Sequence, residues 1–324
     1  MSRLSRHNII RRALLLLLMV CVALLCACSG SLGPGPSFQS VASITDGMSP
    51  EDLDALFAAK LPGPVLPPDT KPDEPICTDY TALGLLRICY LNPNPDKKLK
   101  LQVLFGKDTA EEQNIYYNLT GAGENEDFSL QYGDGEYTVR IMEQTEGNYY
   151  RAVEAKTFDV VLDDATRAYL NSIQNVNWNY EMQPIRDVRY IVAGSLDAEE
   201  GLLQLSTEDI YNYVVNNIRY DSAKVFDLLY DYLPDIVDTY STNKGICYDY
   251  ASLFAAMLRS IGIPAKLVKG YASYAPDTYH AWNEVYLDGE WIIVDPTRDA
   301  TLRASGQSYD LQKESVDYTV VYVY

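Results

Sequence analysis

The sequence predicts two folded parts in one chain: a small antiparallel β-sandwich, then a region that mixes helices with a β-hairpin. Three observations carry this expectation. Short runs that alternate apolar and polar residues fill 98–163. The pattern turns helical from about Thr166, and an amphipathic helix beginning near Cys247 is followed by a hairpin over 280–297. The 324 residues suffice for two domains.

Residues 1–27 read as a targeting segment. Arg3, Arg6, Arg11 and Arg12 form a basic start, and Ala13 to Ala23 form an apolar run short for a membrane span. The segment ends in Leu25-Cys26-Ala27-Cys28-Ser29-Gly30, which resembles a bacterial lipobox with Cys28 as the lipidated new N-terminus. An ordinary signal peptide cut nearby, or an uncleaved anchor, is the alternative. Each reading expects export, and the lipobox expects a membrane-anchored extracytoplasmic lipoprotein on a bacterial surface. The net charge is −19, and removing residues 1–27 makes the remainder more acidic still. Such a chain repels nucleic-acid phosphates and gains nothing from an anionic membrane, so attachment falls to the lipid.

Residues 28–75 are expected to be a linker. Nine of the sixteen prolines lie between 29 and 75, a composition that suits a semi-rigid spacer. Ser49-Pro50-Glu51-Asp52 ahead of Leu53, Leu56 and Phe57 reads as one capped short helix inside it. Six cysteines are present, three of them (Cys21, Cys26, Cys28) in the targeting region. An oxidising compartment favours pairing Cys77 with Cys89, with two reduced buried thiols as the alternative. That leaves Cys247 unpaired and therefore worth testing as reactive. The two histidines are His7 and His280, so a His-rich metal site is excluded and no cofactor is expected.

The sandwich is expected over 76–165. Leu99, Leu101, Val103 and Phe105 alternate with polar or long side chains, as do Phe128, Leu130 and Tyr132, then Tyr137, Val139 and Ile141. Gly133-Asp134-Gly135-Glu136 between the last two runs reads as a hairpin turn. Short strands at this spacing suggest an immunoglobulin- or fibronectin-like sandwich.

The second domain is expected over 166–324. Ser206 or Thr207 is placed to cap a helix carrying Ile210, Tyr213, Val214 and Asn217. Tyr250, Leu253, Phe254, Met257, Leu258 and Ile261 fall on one face of a further helix that Gly262 and Pro264 end. That helix begins near Cys247, where unsatisfied N–H groups and the macrodipole favour a thiolate; an inert buried Cys is the bland alternative. In the hairpin, a two-residue Asp288-Gly289 turn sets 287 opposite 290 and hence 282 opposite 295. Asp295 then shares a face with His280 at a diagonal position, where a carboxylate can orient an imidazole. The Val and Tyr alternation of 316–324 suggests a final strand, and residues from about 190 onward are expected to fold alone.

Together these motifs resemble the transglutaminase-like superfamily. Gly245-Ile246-Cys247-Tyr248-Asp249-Tyr250-Ala251 is similar to its nucleophile motif, and Gly262-Ile263-Pro264-Ala265-Lys266 with Gly270-Tyr271 to its next strand. His280-Ala281-Trp282 and Trp291…Val294-Asp295-Pro296-Thr297 resemble its His and Asp motifs, and Ile218-Arg219-Tyr220-Asp221 its upstream Ile-x-Tyr-Asp. The likeness covers about 206–300. It implies a papain-like α+β core in which Cys247 is the nucleophile, His280 the general base and acid, and Asp295 the residue that fixes the imidazole. The Cys247 N–H is the natural oxyanion donor, with Tyr220 a weaker candidate for a second.

The expected activity is thiol-based attack on peptide or carboxamide bonds of a peptide or protein substrate, cell-wall material included. Hydrolysis, as a cysteine peptidase or amidase, is the first reading, because no feature announces an acceptor site for an amine. Protein cross-linking is the second. A non-catalytic module that binds peptide or cell wall is the third, and it has no need of an intact Cys, His and Asp.

Overall fold

The structure is a computed structural model that describes residues 48–324 apart from residues 111 and 230. The expected targeting segment and Cys28 lie outside the described residues. Among the described residues no helix is long and apolar enough to cross a membrane.

Residues 48–75 are not the free spacer their prolines suggest. Helix α1 (Pro50–Lys60) is capped as expected, the Ser49 hydroxyl accepting the Asp52 N–H at 3.1 Å. Its Leu53 is buried, as is Leu61 beyond it, and Asp54 pairs with Arg189 at 2.5 Å. The extended run that follows is tied down by its carbonyls. Pro64 accepts from the Tyr180 hydroxyl at 2.9 Å, Val65 from Arg167 at 3.1 Å and Pro68 from Arg87 at 2.5 Å. Proline removes a donor but keeps an acceptor, so a proline-rich strap can still be bonded along its length.

Seven strands follow: β1 (Ile76–Cys77), β2 (Leu85–Leu91), β3 (Leu99–Phe105), β4 (Gln113–Leu119), β5 (Ala122–Ser129), β6 (Gly135–Gln144) and β7 (Tyr150–Val160). They form two antiparallel sheets, ordered β1-β2-β5 and β4-β3-β6-β7. Leu101, Val103, Tyr137, Val139 and Ile141 are fully buried, which is the alternation read from the sequence. Tyr117 of β4 meets Phe128 of β5 at 4.9 Å between ring centroids, so the two sheets touch through their apolar faces. The turn at 133–136 is not a hairpin, because β5 and β6 belong to different sheets. Its glycines do take positive φ, 84° at Gly133 and 142° at Gly135. What redirects the chain is the Tyr137 hydroxyl. It accepts the Tyr132 N–H at 3.0 Å and turns its proton to the carbonyls of Leu130 and Gly133, each 3.1 Å away, making a corner rather than a ladder.

The expected bridge between Cys77 and Cys89 is not made; both are free thiols. The register explains it. Cys77 stands opposite Arg87, while the Cys89 N–H bonds the Pro75 carbonyl, two positions along the ladder. Such diagonal neighbours sit roughly 7–8 Å apart, beyond the separation of about 4.4–6.8 Å that a disulfide spans.

The C-terminal half holds helices α2 (Leu202–Asn217), α3 (Ile236–Thr242), α4 (Cys247–Ser260) and α5 (Pro296–Ala304). A short parallel pair, β8 (Arg219–Tyr220) with β9 (Lys244–Gly245), precedes α4. The main sheet is antiparallel and contains β10 (Ala265–Ala272), β11 (Ala275–Leu287), β12 (Glu290–Val294), β13 (Gln312–Lys313) and β14 (Tyr318–Val323). Its order is β13-β12-β11-β10-β14, so the Val and Tyr alternation near the end does supply a strand. Helix α2 starts earlier than Ser206 or Thr207: its cap is Gly201, in a left-handed conformation at φ 68°. Ser206 and Thr207 are buried inside the helix, and Thr207 turns its hydroxyl onto the Leu203 carbonyl at 2.8 Å instead of capping.

Helix α4 is buried all round, from Tyr248 to Ser260, and not on one face alone. A helix in that position must pair every polar group it carries. Arg259, fully buried, does so by donating to the backbone oxygens of Ala265 (2.8 Å), Asn171 (2.7 Å) and Tyr324 (3.0 Å). Ser252 bonds the Asn175 carbonyl at 3.0 Å, and the Asn175 amide reaches the Tyr248 hydroxyl at 2.6 Å. Ile173, Val176, Trp178, Ile185 and Val188 are buried in the same apolar cluster as α4. At ~1.5–3 kcal/mol for each large apolar side chain, these five contribute on the order of 10 kcal/mol, as much as a whole domain's margin. A domain boundary at 190 therefore cuts through the core.

Candidate active site

Cys247 is the first residue of α4, as the helix periodicity implies. The preceding Ile246 is extended, with φ −93° and ψ 176°, and has no side-chain acceptor for the helix N-terminus. The cap is supplied from inside the helix: the fully buried Asp249 carboxylate accepts the Ile246 N–H at 2.8 Å. Lys224 pairs with the same carboxylate at 2.9 Å, and the Tyr232 hydroxyl donates to it. Gly245 is needed for this packing, because a Cβ there would lie 2.6 Å from the Asp249 Cβ. The glycine two residues before the thiol thus lets a carboxylate pack beneath the turn that aims it.

The hairpin has the predicted register, with Leu287 opposite Glu290 and Asn283 opposite Val294. Asp288 and Gly289 both take positive φ, 50° and 89°, as a two-residue primed turn requires. One step past the ladder, His280 Nε2 lies 2.8 Å from Asp295 Oδ2. Cys247 acts on the same imidazole, helping to raise it. Trp282 stacks over the imidazole at 6.2 Å between centroids and is fully buried, which shields the His–Asp contact from water.

Asp295 is fully buried and holds more than His280. Its Oδ2 also accepts from the hydroxyls of Tyr274 (2.8 Å) and Tyr318 (3.0 Å), and its Oδ1 caps α5 by accepting the Arg298 N–H at 3.0 Å. Burial pushes this carboxyl up, but the His280 charge and these hydrogen bonds outweigh it and hold it below the usual carboxylate range. Burial works against a charged His280 in turn. The Asp295 carboxylate outweighs it, the Cys247 sulfur adds to the effect, and the imidazole is raised well above its ordinary value. Tyr274 also lies 2.8 Å from His280 Nε2, and burial together with Asp295 keeps its hydroxyl protonated. The arrangement can take a proton from a thiol, hold it on a fixed imidazolium and release it to a leaving group.

Tyr220 stands opposite Gly245 in the β8–β9 pair, two residues before the thiol. Burial pushes its hydroxyl up to about 12, with Cys247 and Asp249 adding to the shift, so it stays protonated and able to donate. Cys77 and Cys89 lie in the N-terminal sheets, away from this constellation. Among the described residues no group of three or more His, Cys, Asp or Glu is placed to hold a metal. Tyr274, Tyr318 and Asp249 escape sequence reasoning. Tyr318 sits in an alternating strand that reads as plain structure, Tyr274 in a turn, and Asp249 on a helix whose apolar face dominates the pattern. The Lys224 and Tyr232 partners of Asp249 lie some 20 residues upstream and carry no motif.

Residues 192–296 match the family model of the transglutaminase-like superfamily. Over 99 residues the chain is 35% identical to the Kyphoscoliosis peptidase of Homo sapiens, a stretch of 27% of this chain and 14% of that protein. The chain thus spans only a small part of that relative's length. Among solved structures, a candidate cysteine protease from Cytophaga hutchinsonii aligns with a TM-score of 0.36 and 18% identity, over 70% of this chain and 80% of that one. The red sea bream transglutaminase aligns at 0.28 and 12% identity, over 66% and 48%. The chain carries a transglutaminase-like domain over residues 192–296.

Proposed function

We propose that this protein is a thiol hydrolase of peptide or carboxamide bonds, with Cys247 as nucleophile, His280 as general base and acid, and Asp295 as the group that holds the imidazole. The observation that carries this reading is the convergence of three side chains from α4, β11 and the start of α5, with His280 fixed by a buried carboxylate 2.8 Å away. The Cys247 thiol gives its proton to His280 and its sulfur bonds to the substrate carbonyl carbon. The oxyanion formed is held by the Cys247 N–H at the helix terminus and by the Tyr220 hydroxyl. His280 then protonates the leaving amine, and a thioester remains on Cys247. Water, deprotonated by the now neutral imidazole, attacks the thioester and returns the thiol.

Hydrolysis is preferred to cross-linking because water is always present in excess, and an amine prevails only where a site binds it and excludes water. The targeting segment supports an extracytoplasmic location with Cys28 as a lipid anchor, which makes exposed peptide or cell-wall material the natural substrate. The strand order of the N-terminal sheets and the Tyr137 corner support reading them as a fibronectin-type module that holds the enzyme off the membrane. The test is amide turnover by the chain from Ser29 onward on a peptide library. Cys247→Ala and His280→Ala should each abolish it, and the double variant should cost little more, because the two act as a unit. Millimolar primary amine should leave the products unchanged. An amine adduct that outpaces hydrolysis would make the enzyme a transglutaminase, and full turnover by Cys247→Ala would remove the nucleophile.

A further inference from the structure

One cation next to the candidate nucleophile has no assigned work. Lys269 lies on β10 opposite Ala281, and its neighbour Gly270 lies opposite His280. Its ammonium sits 3.4 Å from the centroid of the Tyr248 ring, the residue after Cys247, and 5.3 Å from that of Tyr324. The other largely buried lysines of this half each have a carboxylate within 3 Å: Lys224 with Asp249 at 2.9 Å, Lys266 with Glu284 at 2.8 Å and Lys313 with Asp299 at 2.7 Å. Lys269 makes no such pair among the described residues.

A half-buried ammonium without an anion is costly, and aromatic faces return only about 0.5–2 kcal/mol of that cost. Burial accordingly draws Lys269 down to about 8, with Cys247 acting in the opposite direction. The chain as a whole carries −19, so a local cation beside the thiol runs against the overall field and would have to offset it for an anionic substrate.

We propose that Lys269 is a specificity-determining residue that binds a carboxylate of the substrate beside the bond attacked by Cys247, so that the enzyme prefers acidic acyl donors. This rests on Cys247 being the nucleophile. The carboxylate takes the place of the missing anion and lies against the Tyr248 and Tyr324 rings. A Glu or Asp side chain and a free terminal carboxylate offer the same chemistry.

Two small reagents test this without a known substrate. Iodoacetate and iodoacetamide alkylate the same sulfur and differ mainly in the carboxylate that the first one carries. Cys247 alkylation by both is followed by peptide mass in the full chain, as wild type, Lys269→Met and Lys269→Arg. A charge-assisted hydrogen bond corresponds to roughly a 10- to 100-fold preference. The ratio of the iodoacetate rate to the iodoacetamide rate should fall at least ten-fold in Lys269→Met and be largely kept in Lys269→Arg. A ratio that is equal in all three overturns the proposal. So does a fall in both rates together, which would make Lys269 a prop for the thiol. If the wild-type sulfur reacts with both reagents no faster than a simple thiol, the nucleophile reading fails first and the proposal falls with it. Peptides bearing Glu beside the scissile amide, set against peptides with only a free C-terminal carboxylate, then tell the two sources apart by kcat/KM.

Discussion

Replacing Asp295 by Asn tests the buried centre of the site with a change of one atom. Every partner of the carboxylate is a donor: His280, Tyr274 and Tyr318 on Oδ2, and the Arg298 N–H on Oδ1. An amide has one oxygen and one NH2, so either rotamer points N–H bonds at a donor. The cheaper choice turns the NH2 to Arg298 and leaves a buried N–H unpaired, at about 1–3 kcal/mol. Loss of the negative charge also removes the counter-ion of His280, and breaking a buried pair costs roughly 3–5 kcal/mol. The two costs overlap, and about 3–5 kcal/mol is the expected total, a fall in Tm on the order of 10 °C for a body of this size. The pH dependence has a definite sign. Asp295 is held low, so its support is present above the ordinary carboxylate range and is lost as pH falls through the lowered value. His280 is raised, so its support is complete below its ordinary 6.5 and is lost as pH rises through the raised value. The two titrate as one coupled pair and count once. The Tm gap between wild type and Asp295→Asn should therefore be widest between about pH 4.5 and 6.5 and narrow on both sides. Thermal unfolding followed by circular dichroism reads it. A variant with wild-type Tm across that window would refute the donor count and the ion pair together.

Three further outcomes follow from the packing and the targeting segment. Arg259→Met keeps the stem but removes the donor to the Ala265, Asn171 and Tyr324 oxygens, of which Tyr324 keeps the Leu267 N–H at 2.9 Å, and should cost about 3 kcal/mol in urea unfolding; a loss under 1 kcal/mol would mean those oxygens find other partners. Mass mapping of unreduced, unfolded protein should find Cys77, Cys89 and Cys247 all open to maleimide, whereas a linked Cys77–Cys89 peptide would contradict the β1–β2 register. Cys28→Ser should release the protein from membranes or block its processing, and a variant that stays bound at unchanged mature mass would rule out the lipid anchor.

The placement of the three candidate residues was more legible in the sequence than the contacts around them, for a physical reason. Cys247, His280 and Asp295 are fixed by local rules: a helix start, a two-residue turn and a diagonal register, each decided by a few neighbouring residues. The turn at Asp288-Gly289 alone sets the parity that puts Asp295 on the face of His280. Where a long-range contact decided, sequence reasoning failed. Gly133–Glu136 has the composition of a hairpin turn, but the Tyr137 hydroxyl turns the chain into the other sheet. The prolines of 48–75 suggest a spacer, yet the carbonyls of Pro64, Val65 and Pro68 find Tyr180, Arg167 and Arg87 far along the chain. The second layer of the site, Tyr274 and Tyr318 on Asp295 and Lys224 on Asp249, is assembled the same way from distant segments with no spacing to read.

The central claim is that His280 holds Cys247 in a reactive, charge-paired state. The most direct measurement is the rate of iodoacetamide alkylation of Cys247 at pH 6, compared with a simple thiol under the same conditions and with the His280→Ala variant. A thiolate paired to an imidazolium at a helix N-terminus should react at pH 6 well above the simple thiol, and removing His280 should erase that advantage. A wild-type rate equal to that of a simple thiol, unmoved by His280→Ala, would contradict the account and leave the domain to be read as a binding module.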